Sequence, residues 1–574
     1  MAAILFYFIL ISLTCLWSGF LFQSLFLKLR KNSTGDELKK HWIIYAFWGL
    51  IFITLFGQIL ELIMPVNQFT WLAFASILGL VSIFNKDIFK SFSVWLRDIK
   101  KQSTTLLLLC AALAIFISVL SAGPTLMDDT ASYHIQMIKW IQEYGTVLGL
   151  ANLHPRFGFN SSWFTFSSLF VPRQSQTNFF TMGNGVLSVW LSVYLVSDFW
   201  KLFKFRQKEP GVTLPVSCLL IFIVAQLCWP MIRGNATNVN YDFVTACMII
   251  VLFIELSKQQ NEHRQWNNFL PELVIWPVFM LTVRMINFPI LLMSLFSMTV
   301  LIHQKNKRLF ITCSIISLAL ILPFLVRNVM LSGFLFYPIY QIDIFPVDWK
   351  VNPDIAKDLL YYIKYFNRVN TGFKPILETQ KLGFPQWITS WFHYLFIYDK
   401  PFLLLGLAGY VLVFIRLKLI HPFSLPVKFF IGSLIIQLIS WFLIAPDPRF
   451  IYGPLLTGIF LIPFLFPGYF VRPAYNYKKI SAPLVIILFG CLSVYTVLKL
   501  VRDDRYSNFF LPARLPLPPN RSIKIDNIEY RIPEKVLGNW NARCYATDLP
   551  CLYDIQPGLS ARGKTISEGF KINK

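Results

Sequence analysis

The chain has 574 residues, 56% of them hydrophobic and only 14% charged, with a mean hydropathy of +0.57. A soluble domain carries about 25% charged residues, so a water-soluble globule is excluded and the chain reads as a polytopic all-α membrane protein. The net charge of +23 collects in short loops between apolar runs, with no basic stretch interleaved with aromatics; it argues for membrane orientation and against nucleic-acid binding.

Apolar runs of roughly 20 residues recur along the chain, each enough to cross about 30 Å of hydrocarbon as a helix. The alternating segments of a membrane β-barrel are absent. The pattern predicts about fourteen spans. The first runs from Ala3 to Leu27. It lacks a positive leading region and is too long for a signal-peptide core, so it reads as a retained helix. Lys28, Arg30, Lys31, Lys39 and Lys40 follow it. The positive-inside rule makes that loop cytoplasmic and the N-terminus external. Every second later loop is basic too: Lys86 to Lys101, then Lys201, Lys204, Arg206 and Lys208, then Lys258 with Arg264. Lys305, Lys307 and Arg308 follow, then Arg416, Lys418 and Lys428, and finally Arg472, Lys478 and Lys479. Three parts result: N-terminal helices over 1–102, a membrane core over 103–500, and a polar external tail over 501–574. The external side also receives the loops 123–177 and 327–400, the loop 233–242, an apex near Arg284, and the turn 445–449.

The fourth span ends in GPTLMDDTASYHIQMIKWIQEYG, residues 123–145. Carboxylates at a membrane surface are costly and need a reason. One of Asp128 and Asp129 serves as a helix cap; the other is spare. Tyr133, Met137, Trp140 and Ile141 recur near helical spacing, which predicts an amphipathic helix on the membrane, stopped by Gly145. His134 lies about a turn beyond the carboxylates, placed as a metal ligand or proton partner. ANLHPRFGFNSSWF follows and is polar enough to read as a binding loop. Asn160-Ser161-Ser162 and Asn235-Ala236-Thr237 match the glycosylation sequon.

Arg233 and Asp242 bracket GNATNVNY. Arg284 is apolar on both sides and must face a watery cavity or a partner. Arg327 ends another span, and Arg449 closes APDPR. Arginines on one face suit a phosphate, because guanidinium presents planar paired donors; a salt bridge to Asp447 is the alternative for Arg449. In the tail, SIKIDNIEYRI predicts two short strands about an Asp526-Asn527 turn. Cys544 and Cys551, on the external side and without a nearby His to complete a zinc site, predict a local disulfide. The other seven cysteines lie in apolar runs and read as small buried hydrophobes. No phosphate-cradling glycine loop, HExxH or GxSxG is present.

These residues resemble the GT-C superfamily of glycosyltransferases, polytopic enzymes with an acidic motif in the first external loop of the core. Asp128 and Asp129 match that motif, and RNVMLSGFLFYP, from Arg327 to Pro338, resembles an Arg-Asn…Gly…Tyr-Pro segment of such proteins. Arg284 stands where they carry an apical Lys, and PDPR resembles their outer Pro-and-Arg turn. Three helices precede the acidic loop, a departure from the pattern. The chain is also similar to a family of bacterial polytopic membrane proteins sharing DD…YH…W…YG…LANLH…GFNSSWF and Cys…Pro-Cys…RG…GF, read here from Asp128 to Phe164 and from Cys544 to Phe570.

The resemblance implies a bacterial inner-membrane enzyme with both termini extracytoplasmic. It would move a sugar from a polyprenyl-phosphate-linked donor to a glycan or lipid acceptor. Asp128 or Asp129 would be the general base. Arg284, Arg327 and Arg449 would meet the phosphate, with His134 and Asp242 as further substrate contacts. The resemblance leaves the cofactor open: a divalent cation could bridge carboxylate and phosphate, and some members of such a superfamily work without one. Three rivals remain. A flippase would want polar groups at mid-membrane in inverted repeats. A glycan polymerase or ligase would use arginines and a His, and a scaffold would tolerate Asn at both aspartates.

Overall fold

The computed structural model describes residues 1–29, 40–203, 212–228, 231–261, 266–369, 380–416, 423–466, 477–502, 510–534 and 543–573. The loop cations Arg30, Lys31, Lys39, Lys204, Arg206, Lys208, Arg264, Lys418 and Arg472 lie outside the described residues.

The molecule is mostly helical, with a small β region near its C-terminus. Long apolar runs favour helices because each backbone N–H and C=O is then satisfied within its own segment. Among the described residues, seven helices are long and apolar enough to cross a membrane, or up to nine if each bent pair is one span. One pair bends by 99° between Gln68–Ile83 and the helix ending at Lys100; the other bends by 119° between Phe384–Tyr394 and Asp399–Ile415. Thr213–Leu227 and the helix ending at Phe464 are shorter and also apolar.

The first two helices cross very closely. A Cβ on Gly19 would lie 1.8 Å from Tyr45 O, and one on Gly49 1.7 Å from Cys15 O. Only glycine permits that approach, the usual way to gain packing where lipid offers no hydrophobic drive between helices. The N-terminal helices share one apolar core with the rest of the chain, from Ile4 through Phe460 to Phe570 in the tail. Four of the seven free cysteines are buried as expected, but Cys110 and Cys228 are half-buried and Cys491 is exposed. An apolar run crossing a membrane can turn a small hydrophobe toward lipid as readily as toward protein.

Contacts bring both termini and the acidic loop to one end of the bundle. Ala3 N donates to Phe510 O at 3.0 Å, and Ala513 N to Ala122 O at 2.7 Å. The tail hairpin forms as predicted: Asn520–Ile525 pairs antiparallel with Ile528–Pro533, and Asp526 and Asn527 take the left-handed φ values of 49° and 67° that such a turn needs. Cys544 and Cys551 are disulfide-bonded. A second pair, Leu559–Ala561 with Phe570–Ile572, docks on the loop through Phe570 N to Leu148 O at 2.9 Å.

Candidate functional site

The acidic loop leaves the Thr104–Ala122 helix and is pinned before it turns. Asn238 Oδ1 accepts from Leu126 N at 3.0 Å and Met127 N at 2.8 Å. Thr130 Oγ1 accepts from Val239 N at 3.2 Å. GNATNVNY is therefore a buried brace that fixes the two aspartates. Asn235 is enclosed, and Asn160 is engaged at both ends, donating to Phe324 O and accepting from Arg327. Neither sequon asparagine presents a free side chain.

A helix follows at once, a π turn over Thr130–His134 and then Ile135–Tyr144. It ends at Gly145, where φ is 72° and a Cβ would meet Met64 O at 2.7 Å. The expected apolar stripe of Tyr133, Met137, Trp140 and Ile141 is buried, but so is the polar face. Gln136 Nε2 donates to Tyr545 O and Thr547 O at 3.0 and 2.9 Å. Lys139 Nζ donates to Ala546 O and Thr547 O at 2.7 and 3.0 Å. The disulfide loop of the tail thus roofs this helix, which the sequence alone placed on the membrane surface.

Asp129 lies between two guanidiniums. Arg156 Nη1 reaches Oδ1 at 3.0 Å and Arg449 Nη1 reaches Oδ2 at 3.2 Å. Arg449 also grips Asp447 through Nε at 3.0 Å and Nη2 at 2.8 Å, as the salt-bridge alternative expected. The result is a chain of alternating charge, Arg156–Asp129–Arg449–Asp447. Three of its side chains are about a quarter exposed: Asp129 27%, Arg449 26% and Arg156 25%. Burial alone would raise the Asp129 carboxyl, but Arg449 and Arg156 hold it well below the usual carboxylate range.

Arg284 pairs with Asp242 at 2.5 Å. Its guanidinium sits 3.7 Å from the Phe450 ring centroid and 4.9 Å from that of Tyr241, while Arg449 lies 5.8 Å from Phe450. One phenyl ring therefore meets two guanidiniums, which its negative face tolerates. Asp128 is more open, 44% exposed, and is ion-paired with Arg543 of the tail.

His134 is buried among Tyr133, Phe164 and Tyr241. Burial pushes its pKa down to about 3, so the ring is neutral. Thr130 Oγ1 lies 3.5 Å from Nδ1, and Nε2 has no hydrogen-bond partner among the described residues.

The structure thus brings Asp128, Asp129, His134, Asp242, Arg284 and Arg449 to one place. Arg327 makes its contacts elsewhere. It is 1% exposed, lies 3.2 Å from Glu61 and bonds Asn160, and Glu61 also accepts from Thr165 Oγ1. Arg543 is a site residue that sequence reasoning missed, and Arg156 was read there only as one polar group of a binding loop. Arg156 stood in the polar HPRFGFN stretch, a usable signal; nothing in ARCYATDLPC announced that Arg543 would reach Asp128. Asp399 was also missed. It is buried, feels the charges of Asp447 and Arg449, and leaves Oδ1 unpartnered among the described residues.

The four carboxylates Asp128, Asp129, Asp242 and Asp447 each have a guanidinium partner. Among the described residues no group of three or more His, Cys, Asp or Glu could hold a metal ion. What the arrangement offers is a set of fixed, partly exposed cations beside an open carboxylate.

A family model described as a domain of unknown function (DUF8201) matches residues 1–456. No curated protein and no solved structure matches the chain.

Proposed function

We propose, from the premise that the chain belongs to the DUF8201 family, that it is an integral-membrane glycosyltransferase of about fourteen spans in all, with a GT-C-like core over 103–500. Its sugar donor is a polyprenyl-phosphate-linked sugar, and its acceptor is a glycan or lipid at the external face of a bacterial inner membrane. One observation carries the reading: a row of arginines, Arg156, Arg449 and Arg284, converges beside Asp128 and Asp129 at the end of the bundle where the tail docks.

The chemistry follows from who is already occupied. Asp129 is engaged at both oxygens and is a weak base, so its work is to hold Arg156 and Arg449 in place. Asp128, with one guanidinium partner and wide exposure, takes the proton from the acceptor hydroxyl. The acceptor oxygen then bonds to the anomeric carbon while the bond to the phosphate oxygen breaks, and the electron pair leaves with the lipid phosphate. The phosphate draws Arg449 and Arg284 from their carboxylates, because a charge-assisted bond to a phosphate dianion exceeds one to a monoanion. Neutral His134 lines this hollow as a hydrogen-bond donor, and Arg327, enclosed with Glu61, takes no part in it.

The test is loss of an envelope-glycan modification in cells. Asp128→Asn is expected to lower it by a factor of about 100 or more, with expression and insertion unchanged. Full modification in Asp128→Asn, Asp129→Asn and the double variant would sink the assignment.

A further inference from the structure

We infer that the Lys86–Lys100 helix is a docking surface for anionic lipid headgroups, lying in the membrane plane at the end of the bundle opposite the ionic cluster. The inference is independent of the proposed reaction.

Its place comes from the elements on either side. Asn67, which caps the Gln68–Ile83 helix, donates to Gln142 O at 3.2 Å, beside the acidic-loop helix. Sixteen residues later, about 24 Å along a helix, the chain bends by 99°. Asn85 makes the corner, accepting from Asp87 N at 3.2 Å and donating to Ser24 Oγ at 3.4 Å. The Thr104–Ala122 helix then returns to the acidic loop. The segment between is too polar to be a span and too regular to be a loop.

Helical spacing sets three stripes on its surface, beside a fourth that carries Asp87 and Asp98. Ile88, Phe92, Trp95 and Ile99 repeat at four, three and four residues and face the protein. Ile88 is fully buried, and the Phe92 ring lies 5.1 Å from Trp17 of the first helix. Phe89 and Leu96, seven residues apart, share the next stripe and are 47% and 40% exposed. This stripe continues the bare apolar surface of the adjoining helix, where Leu80, Ile83 and Phe84 are 60%, 65% and 88% exposed. The third stripe is cationic. Lys90, Arg97 and Lys101 repeat at seven and four residues, with Lys100 beside them, and all four are exposed. Among the described residues none of the four is in an ion pair.

Unpaired cations next to an exposed apolar stripe satisfy both at once only where hydrocarbon meets phosphate. The apolar stripe enters the acyl boundary, and the lysines and arginine lie level with headgroups whose negative charge they match. A water-filled surface would leave Phe89, Leu96 and Phe84 wet. An acidic cytosolic protein would match the charges but not that apolar continuity.

The experiment uses the full chain purified in detergent and titrated with phosphatidylglycerol or phosphatidylcholine. Bound lipid is read by native mass spectrometry and by thermal shift. The wild type is expected to retain phosphatidylglycerol about tenfold better, with the preference falling as salt rises. K90Q/R97Q/K100Q/K101Q should lose the preference while melting normally in phosphatidylcholine. A control with Gln at Lys305, Lys307 and Arg308, another basic turn, should keep it. Equal retention of the two lipids by wild type overturns the inference, even if the quadruple variant fails to fold. So does a preference untouched by the quadruple change, equal loss in the control, or loss of a bound acidic protein with lipid retention unaltered.

Discussion

Two ionic networks stand at opposite ends of the same helices. At one end, Arg156, Asp129, Arg449 and Asp447 form an alternating row with side chains a sixth to a quarter exposed. At the other, Lys258 bridges Asp198 and Glu255 at 2.6 Å each, and Tyr194 donates to Glu255 at 2.7 Å. There the Lys258, Asp198 and Glu255 side chains are only 12%, 2% and 5% exposed. Asp242 and Lys258 are on one helix, about 24 Å apart. The ingredients are alike, but access differs. A closed network has settled its charges and acts as a cross-brace between helices. An open one keeps guanidinium edges where an incoming anion can compete for them. Composition alone does not separate a brace from a site; enclosure does.

That contrast can be broken or sharpened by measurement. Lys258→Met should leave buried Glu255 without its cation and Asp198 with Lys201 alone, and cost about 3 kcal/mol of stability, seen as a large drop in melting temperature in detergent. Stability near that of wild type would mean the closed network is no brace.

Acidification should act at both ends, because burial pushes His41, beside the closed network, down to about 4 and His134, at the open one, down to about 3. His134 ordinarily titrates at 6.5 but only at about 3 when folded, so below pH 6.5 the unfolded chain takes a proton that the folded one refuses. Stability is therefore whole above that pH and falls as pH drops toward 3, by about 1.4 kcal/mol per pH unit for this ring. His134→Gln should reduce that slope in a melting series from about pH 7 to about pH 4, leaving the shares of His41 and His154. An unchanged slope would show that the ring titrates normally.

The smallest effect on stability is expected at Arg449→Gln, about 1 kcal/mol, because its ion pairs are partly wet. Envelope-glycan modification should nevertheless be lost. A variant that melts far lower than this would make Arg449 another brace and erase the distinction between the two ends.

The tail shows the same lesson in another form. Its hairpin was legible because Asp-Asn at a turn and alternating flanks are local facts, and the disulfide because two cysteines seven residues apart fall in one short polar stretch. Its docking was not legible. Gln136 and Lys139 looked like the wet face of a surface helix, and only distant backbone carbonyls at 545–547 made them interior.

The sequence by itself determined that this is a multi-pass helical membrane protein, since hydropathy and backbone satisfaction act over one segment at a time. It also selected most of the candidate site, because charges are rare in apolar text and stand out. Tertiary structure alone decided which of those charges meet. Arg327 and Arg449 look equivalent in the sequence, each at a helix end, yet one is enclosed with Glu61 and the other stands a quarter exposed beside Asp129. Pairing depends on which helices pack side by side, and no local pattern encodes that.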